Sequence, residues 1–77
     1  MRQKIPPVKA KELIKLLSKI GIMPIRQSGS HVQMKGTYKG ETRFTTVPVH
    51  GKEVPKGLVL QILKDCGLTN EELLEML

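Results

Sequence analysis

Apolar residues in the first third of the chain recur at helical spacing. Pro6-Pro7 disfavour helix before Val8. Beyond them, Ala10, Leu13, Ile14, Leu17 and Ile20 fall at i, i+3 and i+4 steps and share one face. Lys11, Lys15 and Lys19 take the solvated side, and Gly21 is a natural stop. The period then changes. Residues 22–28 read as a first strand, with Pro24 held to its start or to a sheet edge because it has no N–H to donate. Gly29-Ser30 makes a corner. From His31 to Lys35 the alternation is clean: Val32 and Met34 face one side, His31, Gln33 and Lys35 the other. A loop over 36–40 closes a hairpin onto a third strand at 42–49. The parity of that strand is open. If Val47 and Val49 face the core, Phe44 falls on the outer face unless a bulge intervenes.

After the loop Gly51-Lys52-Glu53-Val54, Pro55 opens a second helix. Leu58, Val59, Ile62, Leu63 and Cys66 lie along one side of it, and Gly67 ends it. Thr69 to Glu72 spell the Thr-x-x-Glu capping box, which launches a short terminal helix with Leu73, Leu74 and Leu77 inward. The expected order is α-β-β-β-α-α. An α+β fold follows: a three-stranded antiparallel sheet with helices on one face, the other face open and carrying His31. Residues 1–7 read as a flexible N-terminal arm and 8–77 as a single domain.

Size and charge narrow the function. A chain of 77 residues buries only about 60% of its unfolded surface. A shallow, open site is expected, suited to a polymer, with no cofactor. The net charge of +6 is uneven. Residues 1–52 hold 11 Lys/Arg against 2 acids; residues 53–77 hold 2 against 5. A basic body with an acidic tail fits a nucleic-acid surface. The single cysteine excludes an internal disulfide, and Cys66 reads as a small buried hydrophobe. One Cys and two distant His match no zinc spacing, so no metal is expected. No apolar run is long enough to span a bilayer and no signal peptide is visible. A cytoplasmic protein with no membrane partner is the expectation.

His31 is the leading candidate for chemistry. Its unperturbed pKa, about 6.5, lets it take and give a proton near neutral pH. On RNA, such a base can promote attack of a 2′-OH on the adjacent phosphate without a metal. A surface histidine that satisfies the Gly-Ser corner is the competing reading. Ser30 could fix the tautomer of His31, contact a phosphate, or simply make the turn; Gly29 permits the turn or a close ligand approach. Hairpin pairing brings His50 near His31, which makes a two-histidine pair geometrically accessible; a structural or phosphate-contacting role competes with it. Lys52, Lys56 and Gly57 surround the start of the second helix, where free N–H groups favour phosphate. Lys35, Lys39 and Arg43 flank the hairpin and could track a phosphate backbone or merely keep it solvated. Tyr38 could stack on a base or pack over the hairpin.

Four blocks then combine: K-E-L-I-K-L-L (11–17), R-Q-S-G-S-H (26–31), V-P-V-H-G (47–51) and K-G-L-V-L-Q-I-L-K-D-C-G-L (56–68). In this order and spacing the chain resembles the HicA (YcfA-like) toxins of HicA–HicB toxin–antitoxin systems, from about Val8 to Leu68. The resemblance implies a fold like the double-stranded-RNA-binding domain and a metal-independent mRNA interferase. It places the catalytic histidine at His31 and a recurrent position at His50. It also implies a HicB-type antitoxin partner that covers the RNA face. Two departures stand out. Lys9 occupies the region of a Ser/Thr-type helix cap, and the 69–77 helix extends past the usual core. The expected activity is an endoribonuclease, monomeric or weakly dimeric when free. A non-catalytic RNA-binding module, and an interaction protein whose basic face meets an acidic partner, are the other readings the sequence leaves open.

Overall fold

The structure, a computed structural model, describes residues 5–51 and 53–77. Its elements run α1 (Ala10–Lys19), β1 (Ile22–Ser28), β2 (His31–Tyr38), β3 (Glu41–Pro48), α2 (Lys56–Cys66) and α3 (Asn70–Met76). The strands form one antiparallel sheet in the order β1-β2-β3. This is the α+β order expected from the sequence.

Residues 1–4 of the expected arm lie outside the described residues. Ile5 is buried, and Val8 forms a lone antiparallel bridge with Val54. The helix α1 starts from Lys9, whose N–H donates to Glu12 Oε1 at 3.4 Å. Lysine offers no acceptor of its own, so only half of a capping box is present. Leu13, Leu16 and Leu17 carry the buried stripe, with Ile14 and Ile20 partly covered.

The first hairpin turns at Gly29-Ser30 as the sequence suggested, and the second is tighter than expected. Ser28 pairs with His31 across Gly29-Ser30, and Gly29 takes a positive φ of 59°. The expected loop at 36–40 shrinks to Lys39-Gly40, with φ of 54° and 77°. Two positive φ angles in succession are the I′ pattern, whose twist matches that of the strands it joins. β2 therefore runs on to Tyr38, and β3 begins at Glu41 and ends at Pro48. Gly36 sits inside β2 for a reason remote in sequence. A Cβ there would overlap the Gly21 carbonyl and the Ile22 backbone, where the chain leaves α1 and enters β1.

β2 and β3 pair without a slip from His31↔Pro48 to Tyr38↔Glu41. The irregularity lies instead in β1, between Pro24 and Arg26. With β3 regular, Phe44 faces outward and is half exposed, while Thr45 and Val47 are buried. The inner side of the sheet, built from Ile22, Val32, Met34, Thr45 and Val47, meets α1 and α2. Thr45 is the buried polar exception, and its hydroxyl donates to Asp65 Oδ2 at 3.0 Å. In α2 the buried stripe is Val59, Ile62, Leu63 and Cys66; Leu58, expected inward, is exposed. Burial pushes the Cys66 thiol up to about 11, with the Asp65 charge adding to the rise. Gly67 closes α2 in the left-handed conformation, and the Leu68 amide returns to the Leu63 carbonyl at 2.8 Å. Thr69 and Glu72 form the full capping box of α3, at 3.1 and 2.9 Å. Leu73 is buried and Leu74 partly so, but Leu77, also expected inward, is exposed.

Gly36→Ala is expected to lower the unfolding free energy by about 1–3 kcal/mol, the cost of forcing a methyl into packed backbone. A denaturant midpoint measures it. Gly40→Asn, at a left-handed turn position with open space around it, should move that midpoint far less.

Candidate functional site

The hairpin registers set out the open face as rows of side chains. Residues directly opposite in neighbouring strands point to the same side. One row is Ser28–His31–Pro48, the next Arg26–Gln33–Thr46, the next Met23–Lys35–Phe44. His31 is exposed at one end of this face. His50 leaves β3 with the same parity as Pro48, and its ring centroid lies 6.3 Å from that of His31, edge to face. The two histidines the sequence singled out are therefore neighbours.

The corner beneath them is held by backbone. The Ser30 carbonyl accepts the Val49 N–H at 2.7 Å, which ties the β1–β2 turn to the exit of β3. Ser30 thus ties the corner through its main chain, and Gly29 shapes it with a positive φ. On the inner side of the same end, a groove of about 680 Å³ is lined by Lys9, Lys11, Ile14, Gln27, Val32, Val49 and Gly51. Lys56 and Gly57 are exposed in the first turn of α2, and no side-chain hydrogen bond caps that turn from the described residues. Lys52 lies outside the described residues. Among the described residues, no three His, Cys, Asp or Glu side chains gather as metal ligands.

The cations divide into two groups. Lys35 stands on the open face, four residues from His31 along β2, which is about 13 Å at strand rise. Lys39 and Arg43, expected beside it, are placed elsewhere. Lys39 Nζ donates to Glu72 Oε1 at 2.8 Å and to the Gly67 carbonyl at 3.2 Å. Arg43 takes inner parity; its Nε donates to the Tyr38 carbonyl at 3.1 Å, and its guanidinium lies against Gly67. Both bind the far end of the hairpin to the α2–α3 junction. Tyr38 joins them, its hydroxyl donating to Glu72 Oε2 at 3.3 Å, so it packs and is not presented for stacking. Sequence reasoning passed over Arg26 and left the side of Phe44 open. The signal for both is the strand register.

Residues 10–68 match the model of the family described as HicA toxin of bacterial toxin-antitoxin. The chain belongs to the HicA toxin family. The match spans α1, the whole sheet and α2, including Gly29-Ser30-His31 and His50, and leaves α3 outside. HicA membership makes the chain the toxin of a toxin–antitoxin pair. No curated protein matches it. Among the described residues no helix is long and apolar enough to cross a membrane.

The Lys39 contact has a pH signature. The Lys39 hydrogen bond, aided by the Thr69 N–H, holds the Glu72 carboxyl down to about 2 from its ordinary 4.5. A depressed carboxylate pKa adds stability above the unfolded value and loses it as pH falls toward the folded one. Glu72→Gln should therefore be less stable than the parent near neutral pH. The gap should close between pH 4.5 and 2. Because Lys39 and Glu72 are partly exposed, the effect is small and weakened by salt. Thermal melts across that range check it.

Proposed function

We propose that this HicA-family toxin is an endoribonuclease that cleaves mRNA in the cytoplasm, with His31 as general acid/base and His50 as its partner. The observation that carries the reading is the pairing of two exposed imidazoles, 6.3 Å between centroids, at the end of an open sheet face. At that separation both rings can reach one phosphodiester laid beside them.

The chemistry balances without a cofactor. One imidazole takes the proton of a ribose 2′-OH. The 2′ oxygen attacks the adjacent phosphorus, and the bond from phosphorus to the 5′ oxygen breaks. The other imidazole, as imidazolium, gives its proton to the departing oxygen. A cyclic phosphate and a 5′-hydroxyl result. Lys35 and Arg26 on the same face, and Lys56 with Gly57 at the start of α2, supply positive charge for the phosphates. A HicB-type antitoxin that covers the histidine end would silence the toxin by excluding RNA.

His31→Ala is expected to slow cleavage by roughly 10²–10⁴-fold, the contribution of a positioned proton carrier, while RNA binding persists. An all-DNA analogue should stay intact, and a chelator should leave the rate unchanged. Unchanged cleavage by the variant, cutting of DNA, or arrest by chelator would each sink the mechanism. A companion pair separates the cations. Lys35→Ala should weaken RNA binding and reduce the salt slope by about 1. Lys39→Ala should leave RNA affinity alone and cost fold stability, as titrations at two salt concentrations and a melt would show.

A further inference from the structure

We propose that Phe44 is the floor of a nucleobase subsite on the open face, stacking a base of the same RNA strand that His31 acts on. This rests on the nuclease reading for its substrate and on the sheet for its geometry.

Phe44 is the only phenylalanine in the chain, and it stands 50% exposed in the middle of β3. The helices pack on the other side of the sheet, so among the described residues no helix covers it. Met23, at the far end of the same row, is also 50% exposed, and Ile25 in the β1 bulge is 55% exposed. Large apolar side chains left exposed among polar groups on one sheet face suit a surface that meets a partner.

The chemistry around the ring favours a nucleic-acid strand. Lys35 sits between Met23 and Phe44 in one row, and Arg26, Gln33 and Thr46 form the row between Phe44 and His31. Among the described residues no Asp or Glu stands in these rows. The ion pairs among the described residues, Lys39–Glu72 and Arg43–Glu41, lie outside these rows and involve neither Arg26 nor Lys35. A flat ring beside uncompensated cations is the pairing that single-strand binders use: bases stack on the aromatic face while the cations hold the backbone. Gln33 and Thr46 add hydrogen-bonding groups between the stack and the histidines. Phe44 lies four residues along β3 from Pro48, the partner of His31, which is about 13 Å. A base on Phe44 therefore lies a few nucleotides from the phosphate at His31.

The test uses the full chain carrying His31→Ala, so that binding is read without cleavage. The probe is an unstructured RNA of about 12 nucleotides, within the footprint of a single-strand platform, with 2-aminopurine at successive positions. Phe44→Ala and Phe44→Leu should each weaken binding roughly tenfold, as loss of one base stack does. Both should abolish the fluorescence quench at one position, and Phe44→Trp should restore affinity and quench. Parental affinity in Phe44→Ala, or in Phe44→Leu, overturns the proposal. So does a result in which the variants keep RNA binding but lose a HicB-type antitoxin, which would make the face a protein surface. The nuclease reading fails separately: if the chain with His31 intact does not cut RNA that it binds through Phe44, the subsite stands and the catalysis does not.

Discussion

A two-residue turn at Lys39-Gly40 sets which side of the sheet every residue of β2 and β3 occupies. Because side chains alternate along a strand, a slip of one residue would exchange the two faces completely. The unbroken pairing from Tyr38↔Glu41 to His31↔Pro48 carries that choice the full length of the hairpin. It puts Val32, Met34, Thr45 and Val47 under the helices and leaves His31, Gln33, Lys35, Phe44 and Thr46 outside. The histidine pair, the row of cations and the exposed ring all depend on this register. Gly36 guards it from within, since only a residue without a side chain lets the Gly21 carbonyl pass over β2.

Much of this was legible because the signals were local. The change of period at Gly21, the Thr69–Glu72 box, the Gly67 stop and the parity of His31–Lys35 each rest on residues within a turn or a strand. What escaped was remote. Gly36 looked like a turn residue because its reason lies at Gly21, across the sheet. Lys39 looked like a phosphate ligand because its partner Glu72 is 33 positions away. Arg43 lies against Gly67, on the far side of α2. Leu58 and Leu77 shared apolar spacing with their helices but fall beyond the stripe that a small core can cover. The proximity of His50 to His31 followed from hairpin arithmetic. The side of Phe44 stayed open until the irregularity was found in β1 and not β3.

The two ends of the hairpin serve different purposes. At the turn end, Tyr38, Lys39 and Arg43 converge on Glu72 and Gly67 and fasten the sheet to the last helices. At the other end the Ser30–Val49 hydrogen bond holds two imidazoles together with few side-chain ties. Positive charge follows the same division: it is neutralised at the fastened end and left uncompensated along the face that leads to the histidines. The acidic C-terminal stretch thus acts structurally, by drawing Lys39 away from the open face.

The break in β1 has a consequence for the direction of approach. An exposed edge strand invites another strand to extend the ladder. Here Pro24 withholds a donor at mid-strand, and the irregularity at Pro24/Arg26 turns the neighbouring groups out of line. In-plane growth of the sheet past β1 is therefore interrupted near its middle. Whatever reaches the histidines from that side must land on the sheet from above instead of adding to its border, so its contacts are made by side chains and not by a continued backbone ladder.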